Sequence, residues 1–488
     1  MKHSFKTSCQ LLILLALQFS PFFVNSQTTF EKIYSATVDQ EGVDVLHTID
    51  GGYIVAGSTN TKITTDRDIR VWKTDNMGDT IWTKNYGGSK PDYPNGILEI
   101  TDSTYFIIGY SQSFGAGDVN IYLLKINSRK GDTLWTKVYG GAGYDEGSEI
   151  IATKDGNYMI VAHSNSLNLS DYNIQLIKIR PDGSVMWTKY YGGSTTYESA
   201  RSLRLCSDGG FIIVGRTAPS EFGTSQIYVV RTDSTGGTLW TKSYGGPNSY
   251  EGKYVITNSD KSFTICADDS SGARDSDVKV FKIDSAGTKI WDKTYGGSYK
   301  DISKMIQHTF DGGYIVSSIS RSFNVMITPD MWLIKLDANG DMTWNKFYGG
   351  PKHEHCYAVR QTADSGFVTV GHSTSFSANA EFMFVKTDKN GNSQSISGVN
   401  EFAVNNVFNI YPNPSDGFVT IDLTSLKETA SILRISNSLG QEVFSESINP
   451  LNATGNRTID MKDKAPGIYF LTVQSANYSA SQKLILNK

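Results

Sequence analysis

The chain has 488 residues, 39% apolar and 12% aromatic, which is enough for sizeable cores and excludes a disordered polymer. It carries 45 Lys and Arg against 49 Asp and Glu with no basic block, so nucleic acid is not expected as a partner. Gly is abundant (46) and Pro modest (12), as suits many tight turns.

Residues 1–26 read as a secretory signal peptide. Lys2 and Lys6 give a positive start, Leu11 to Phe19 an apolar run, and Val24-Asn25-Ser26 a cleavage site, with the cut expected between Ser26 and Gln27. Cleavage leaves 43 basic residues against 49 acidic ones, a net charge of −6. No Cys stands at the cleavage point, which argues against a lipid anchor there. No later stretch approaches the roughly 18–20 apolar residues of a membrane helix, so no integral membrane segment is expected after signal removal. Cys9 lies in the signal, and the remaining Cys206, Cys266 and Cys356 are odd in number and widely spaced. They are expected to be small buried residues rather than a disulfide framework.

From residue 30 to about 395 the chain repeats. WTKNYGG at Trp82 is followed by WTKVYGG at Trp135, WTKYYGG at Trp187, WTKSYGG at Trp240, WDKTYGG at Trp291 and WNKFYGG at Trp344. Stepping back one period from Trp82 reaches Phe30 in FEKIYS, and stepping forward one from Trp344 reaches Ser395, giving seven units of about 52 residues. Each unit carries four short strand signals. Turns such as Asp50-Gly51-Gly52 and Asp311-Gly312-Gly313 join the first two, and a Gly-bearing turn joins the third to the Trp strand. A lone 52-residue sheet buries too little surface to stand alone, so the units must stack. The pattern predicts a seven-bladed β-propeller over residues 27–393, with four strands per blade and the Trp strand outermost. The strand Phe30 to Ser35 is expected to close a last, three-stranded blade at about 355–388.

Trp, Lys and Tyr at 0, +2 and +4 share one strand face. A cation recurs in each third strand: Lys73, Lys125, Lys178, Arg231, Lys282, Lys335 and Lys386. It is expected across the hairpin from the ring, adding roughly 0.5–1 kcal/mol of cation–π attraction. WTKxYGG is therefore read as scaffold. An acid precedes each innermost strand (Glu41, Asp92, Glu146, Glu198, Glu251, Asp301 and Glu354), and these acids are expected to cap turns or pair with Lys. Variation between units concentrates in the loops between second and third strands, which carry Phe114, Phe222, Phe323 and Phe376; such loops on a rigid scaffold can recognise sugars or proteins, while any single one of them reads as a solvated connector.

In KHEHC, Lys352 to Cys356, a strand would place His353 and His355 on one face, a weak two-His metal signal with no third ligand. Turns such as DSAGTKIW (Asp284 to Trp291) are near the sialidase-type Asp box, but Gly stands four residues before Trp, one too many. No nucleophile elbow, Cys/His pair or phosphate loop is present. No catalytic, cofactor-binding or metal-ligating residue is assigned.

After a polar linker, 394–406, come FNIYPNPSDGFVTIDL (408–423), LRISNSLGQEVFSE (433–446) and APGIYFLTVQSANYSASQKLILNK (465–488). Alternating strands with Gly and Asn turns predict a small Ig-like β-sandwich over 407–488. This segment resembles the C-terminal sorting domain of the type IX secretion system of Bacteroidetes. The likeness rests on Tyr411, Pro412, Asn413 and Pro414 with Gly417, on the turn containing Gly440, on Gly467-Ile468-Tyr469, and on the basic end Lys483 to Lys488. It implies export through the type IX machinery to the outer surface or the medium, commonly with removal of the domain. Together these readings give a secreted or cell-surface propeller, a non-enzymatic module for a glycan or protein ligand. The alternative is a glycan-active hydrolase or lyase with carboxylates in the channel.

Overall fold

The computed structural model describes residues 27–60, 66–101, 104–167, 172–270, 276–323, 327–394, 397–399, 409–422, 431–437, 442–448, 456–475 and 479–487. The signal segment with Ser26, the Gly440 turn and most of the linker lie outside these residues. Every regular element among the described residues is a β-strand. No helix there is long and apolar enough to cross a membrane.

Seven antiparallel sheets form the first body. Blade 1 runs in chain order through Gln40–His47, Tyr53–Asn60, Arg67–Thr74 and Thr80–Tyr86. The innermost strands of blades 2 to 7 are Asp92–Thr101, Asp145–Ala152, Tyr197–Leu205, Ser249–Thr257, Asp301–His308 and Glu354–Gln361. Each lies against its neighbours around the axis. Blade 7 takes its fourth strand from the start of the chain. Phe30–Tyr34 pairs antiparallel with Glu381–Thr387, Phe30 opposite Lys386 and Tyr34 opposite Phe382. The expected closure is thus present. One further strand was not anticipated: Ser397–Val399, within the expected linker, adds in parallel to the free edge of Phe30–Tyr34.

The ring seam is packed by aromatic rings. Tyr34 stacks on Phe382 and Trp72 tilts against it, each with centroids 4.6 Å apart, while Phe30 meets Phe384 edge-on at 5.1 Å. All five are at most 5% exposed. Burial of each such ring contributes about 1.5–3 kcal/mol, so the seam is as firmly packed as any other blade interface. Cys206, Cys266 and Cys356 are free and buried, as expected from their spacing.

The repeated motif grips the next blade. The turn before each outermost strand carries a Gly with φ between +68° and +81° (Gly131, Gly183, Gly236, Gly340 among them), a left-handed conformation that a side chain would strain. That Gly packs flat on the Trp of the preceding blade. A methyl at Gly236 would sit 2.9 Å from the Trp187 ring. The Tyr four residues after that Trp donates its hydroxyl to the same Gly carbonyl: Tyr139 to Gly183 and Tyr191 to Gly236 at 2.8 Å, Tyr244 to Gly287 at 2.6 Å, Tyr348 to Gly391 at 2.8 Å, and likewise Tyr86 to Gly131 and Tyr295 to Gly340. At the seam Phe30 lies against Gly78 and Tyr34 bonds its carbonyl. In several blades the Lys between them pairs with the residue after the Gly, as Lys84 does with Asp132 at 2.6 Å.

The third-strand cations lie opposite the Trp, as expected: Lys73 faces Trp82 and Arg231 faces Trp240 in register. Their charge, however, goes elsewhere. Lys73 pairs with Asp50 at 2.9 Å, Lys282 with Asp260 at 3.0 Å, Lys335 with Asp311 at 2.9 Å and Lys386 with Asp364 at 2.9 Å, all in the first hairpin turn of their own blade. Only Lys125 is seen over a Trp ring, at 5.7 Å from Trp135. An ion pair at the hairpin outbids the ring because a carboxylate is the stronger partner for an ammonium.

The second body has a three-stranded sheet (Asn409–Tyr411, Phe418–Asp422, Asn456–Asp460) and a four-stranded one in the order Glu442–Ile448, Ser431–Asn437, Gly467–Ser475, Ser479–Leu486. Val419, Ile421, Leu433, Leu471 and Leu484 form the core between them, an Ig-like sandwich.

Two outcomes follow. Tyr191→Phe removes one latch and costs about 1 kcal/mol in urea unfolding. Gly236→Ala costs more, because strain at positive φ adds to the clash with Trp187. Burial disfavours the charge of Asp311, but Lys335, Thr309 and the Gly313 N–H outweigh it and hold its carboxyl at about 2. A depressed carboxyl stabilises the fold above its unfolded value of about 3.9, and this contribution is lost as pH falls through about 2. Asp311→Asn is therefore expected to flatten the loss of stability between these pH values, measured by urea melts at pH 5, 4 and 3.

Candidate ligand-binding site

Each innermost strand is broken by a bulge at the same place, leaving Val43, Asn95, Ser148, Arg201, Lys253, Lys304 and Tyr357 without a partner on the second strand. A bulge bends its strand and re-aims the extra side chain. Here all seven line a cavity of about 750 Å³ on the axis, together with residues such as Tyr93, Glu146, Arg204, Tyr254 and Arg360. Three consecutive blades, 4 to 6, supply a cation at the bulge, and blade 7 supplies an aromatic ring.

The acids before the innermost strands divide into two classes. Asp92 accepts hydrogen bonds from Gly88 N and Ser113 Oγ, both at 2.8 Å, and Asp301 from Gly297 N and Ser322 Oγ at 3.0 and 2.6 Å. Glu198 takes Gly193 N and Thr217, and Glu354 takes Ser373 and Ser375. These four cap the turn that leads into their blade, as expected. In blade 3 this place belongs to Asp145, which accepts from Gly141 N and Ser166. Glu41, Glu146 and Glu251 stand one residue further along, hence on the opposite strand face. They point to the mouth of the channel on the side of the long loops.

Glu41 is 3% exposed and saturated with partners. Tyr93 and Tyr357 donate to it at 2.9 and 2.8 Å, Ser58 at 3.0 Å, Arg67 pairs with it, and His372 Nδ1 lies 3.3 Å away. Burial opposes its charge, but His372, Arg67 and Tyr357 together hold the carboxyl well below the usual range. Glu146 accepts from Tyr144 at 2.6 Å and Asn95 at 2.9 Å, with His163 Nε2 at 3.6 Å. It is also held low against the effect of its burial. Burial pushes His163 itself down to about 4, so it is neutral at pH 7. Glu251 bridges Arg201 at 2.7 Å and Lys253 at 2.6 Å.

Around these carboxylates runs an arc of half-buried rings. Tyr93 stacks on Tyr110 at 5.8 Å; Tyr144 meets Tyr172 at 5.7 Å, Tyr172 meets Tyr197 at 4.8 Å, and Arg216 caps Tyr197, while burial and Glu146, with a smaller contribution from Tyr110, push the Tyr144 phenol up. The mouth is thus aromatic over blades 2 to 4 and cationic over blades 4 to 6.

The structure separates the histidines of KHEHC. His353 precedes the strand and is exposed, whereas His355 packs on His372, ring centroids 4.6 Å apart. Among the described residues no three His, Cys, Asp or Glu side chains are grouped to hold a metal ion. The loop aromatics also fall outside the mouth. Phe114 stacks on Tyr122, and Phe323 packs on Trp332 and Phe347 toward the outer strands. Much of the site falls on one register pair between first and second strands, of which the sequence singled out only Glu41, Glu146, Glu251 and His355: Glu41/Ser58, Tyr93/Tyr110, Glu146/His163, Ser199/Arg216, Glu251/Asp268, Ile302/Ile319 and His355/His372. This pair differs in every unit, and that variation inside an otherwise uniform repeat was the available signal.

In the second body, Asn413 accepts from Ile485 N at 2.9 Å, and Ser415 exchanges backbone bonds with Ile485 and Asn487 at 2.8 Å, so the Tyr411–Gly417 turn clasps the last strand. Tyr411 is exposed and receives a bond from Asn456. Gly417 has φ +135° and packs on Lys462, while Gly467 opens the strand that buries Tyr469. Residues 409–487 match the family described as secretion system C-terminal sorting domain. This segment is a type IX sorting tail. Such a tail marks proteins that the type IX machinery exports and that are attached to, or released from, the cell surface. Ahead of the sorting tail, the propeller is similar to the WD40 domain of Neurospora crassa Pan2 (TM-score 0.45, 9% identity, 74% of this chain and 98% of that one). It is also similar to the S511A mutant of puromycin hydrolase complexed with PGG (0.49, 11%, 79% and 58%) and to Drosophila Semaphorin 2a (0.44, 8%, 95% and 99%). No curated protein matches the chain.

Glu41→Gln keeps the shape of the hub but removes its charge, leaving Arg67 without its partner and the tyrosine hydroxyls competing for one oxygen. The expected cost is about 1–3 kcal/mol, read by chemical denaturation as a lower midpoint of the propeller's unfolding.

Proposed function

We propose that this protein is an exported binding protein that holds a glycan at the loop-side mouth of the propeller channel and does not turn it over. Residues 1–26 act as the export signal, 27–393 as the cargo, 394–406 as a linker and 407–488 as the address. Tyr411, Pro412, Asn413, Pro414, Gly417, Gly467 and Tyr469 are the elements of the tail that the type IX machinery engages. The observation that carries the binding reading is the tyrosine arc. Half-buried rings beside ionised carboxylates offer a sugar both a face for its C–H groups and acceptors for its hydroxyls. Tyr93 and Glu146 also line the axial cavity of about 750 Å³, so a small or extended ligand on the arc reaches into it. Binding is favoured over hydrolysis by the state of the carboxylates. Glycosidase chemistry needs one protonated carboxyl, whereas Glu41, Glu146 and Glu251 are all held ionised.

A glycan panel against the full mature chain tests this. Binding is expected, with Tyr110→Ala and Tyr197→Ala each weakening it about tenfold. Tyr190→Ala, on an outermost strand, should leave it unchanged. Turnover of a polysaccharide abolished by Glu146→Gln would overturn the reading.

A further inference from the structure

The channel charges are nearly all matched. Arg360 pairs with Asp44 at 2.9 Å, Arg204 with Glu149 at 2.7 Å, Arg201 with Glu251, and Lys253 with Glu251 and Asp268. Lys304 is the exception. Among the described residues no carboxylate lies within ion-pair distance of its ammonium, which instead sits 5.3 Å above the ring of Tyr357. The side chain lines the cavity from the bulge of blade 6. Burial, reinforced by Lys253, lowers its amine to about 8. Asp268 and Glu251 act on it only from beyond contact distance; a half-buried ammonium with no carboxylate in contact is costly, and a bound anion lowers that cost.

Its place relative to the mouth is specific. Tyr357, under Lys304, donates to Glu41, which also binds Tyr93, and Tyr93 stacks on Tyr110. Tyr93, Tyr357 and Lys304 line the same cavity. The contacts Lys304–Tyr357–Glu41–Tyr93 thus join the cation to the first ring of the arc.

We propose that the ligand is an acidic glycan whose anionic group, a uronic carboxylate or a sulfate ester, is held by the Lys304 ammonium while its ring rests on the tyrosine half of the mouth. This rests on the glycan reading above and adds the substrate class. Neutral sugars lack the counter-charge, and a polyanion engages one residue at a time because the other channel cations already have partners.

Calorimetry on the full mature chain with hexuronate, sulfated and neutral oligosaccharides of equal length tests it. The expected result is that one acidic set binds at least about tenfold tighter than the neutral set. Lys304→Met should reduce that set to the neutral level, and Lys304→Arg should preserve most of its affinity. Which acidic set responds identifies the group. The proposal is overturned if Lys304→Met leaves acidic binding within about twofold of the parent, or if neutral and acidic sets bind alike; the glycan reading survives both results. If no glycan binds, that reading falls, and the anion site is decided by amine labelling of Lys304. Protection by glucuronate or inorganic sulfate supports the site, and unchanged labelling in both removes it.

Discussion

One contact organises the ring: a glycine in left-handed conformation lies flat on the indole of the preceding blade and offers its carbonyl to that blade's tyrosine. The contact has two demands that only this combination meets. The turn must be free of a side chain so that the ring can close on it, and the backbone must present an otherwise unused acceptor. Each blade is thereby fixed to the next by packing and direction at once. Because the same contact is made at every interface, the residues that make it recur with a fixed spacing. The recurrence of WTKxYGG is thus a record of blade-to-blade attachment, and at the seam Phe30, Lys32 and Tyr34 perform the same three tasks with a smaller ring.

With the repeated attachment carried on the periphery, the contacts at the axis vary from blade to blade. The innermost strands share a small residue before the bulge in several blades, such as Gly42, Gly147 or Gly252, and an acid that caps the incoming turn in five of them, Asp92, Asp145, Glu198, Asp301 and Glu354. The side chain at the bulge reaches the next blade in several units, Asn95 to Glu146, Arg201 to Glu251 and Tyr357 to Glu41, each time with a different residue type. The types vary around the ring: an aromatic arc on one side of the mouth, an arc of cations on the other. The unlike lining of the channel comes from seven unequal choices made on equal supports.

The same division explains what the amino-acid sequence disclosed. Period, turn chemistry and the Phe30 substitution were enough to predict the blade count, the frame and the closing strand, since these rest on features that every unit repeats. Side-chain destinations were less readable. The seven acids looked equivalent because unit lengths differ by a residue or two. A shift of one place along a strand exchanges its two faces, so Glu41 reaches the channel while Asp92 caps a turn. His353 and His355 were paired by assuming a strand that begins one residue later, at Glu354. The hairpin aspartates that capture the third-strand lysines were read only as turn formers. The tyrosine arc was invisible as a motif because its members come from three blades and meet only in space.

The short parallel strand at Ser397–Val399 makes the position of any backbone scission matter. Phe30–Tyr34 has one flank bonded to blade 7 and the other to this segment. A cut after residue 399 would leave the outer flank covered, and the freed ring would carry its own selvedge. A cut before residue 397 would strip the segment away and bare a row of unpaired backbone groups at the one interface stitched from the two ends of the domain, the kind of margin along which chains adhere to one another. The position of a cut thus decides whether the closing strand keeps this added partner or is left with a bare outer edge like that of the other outermost strands.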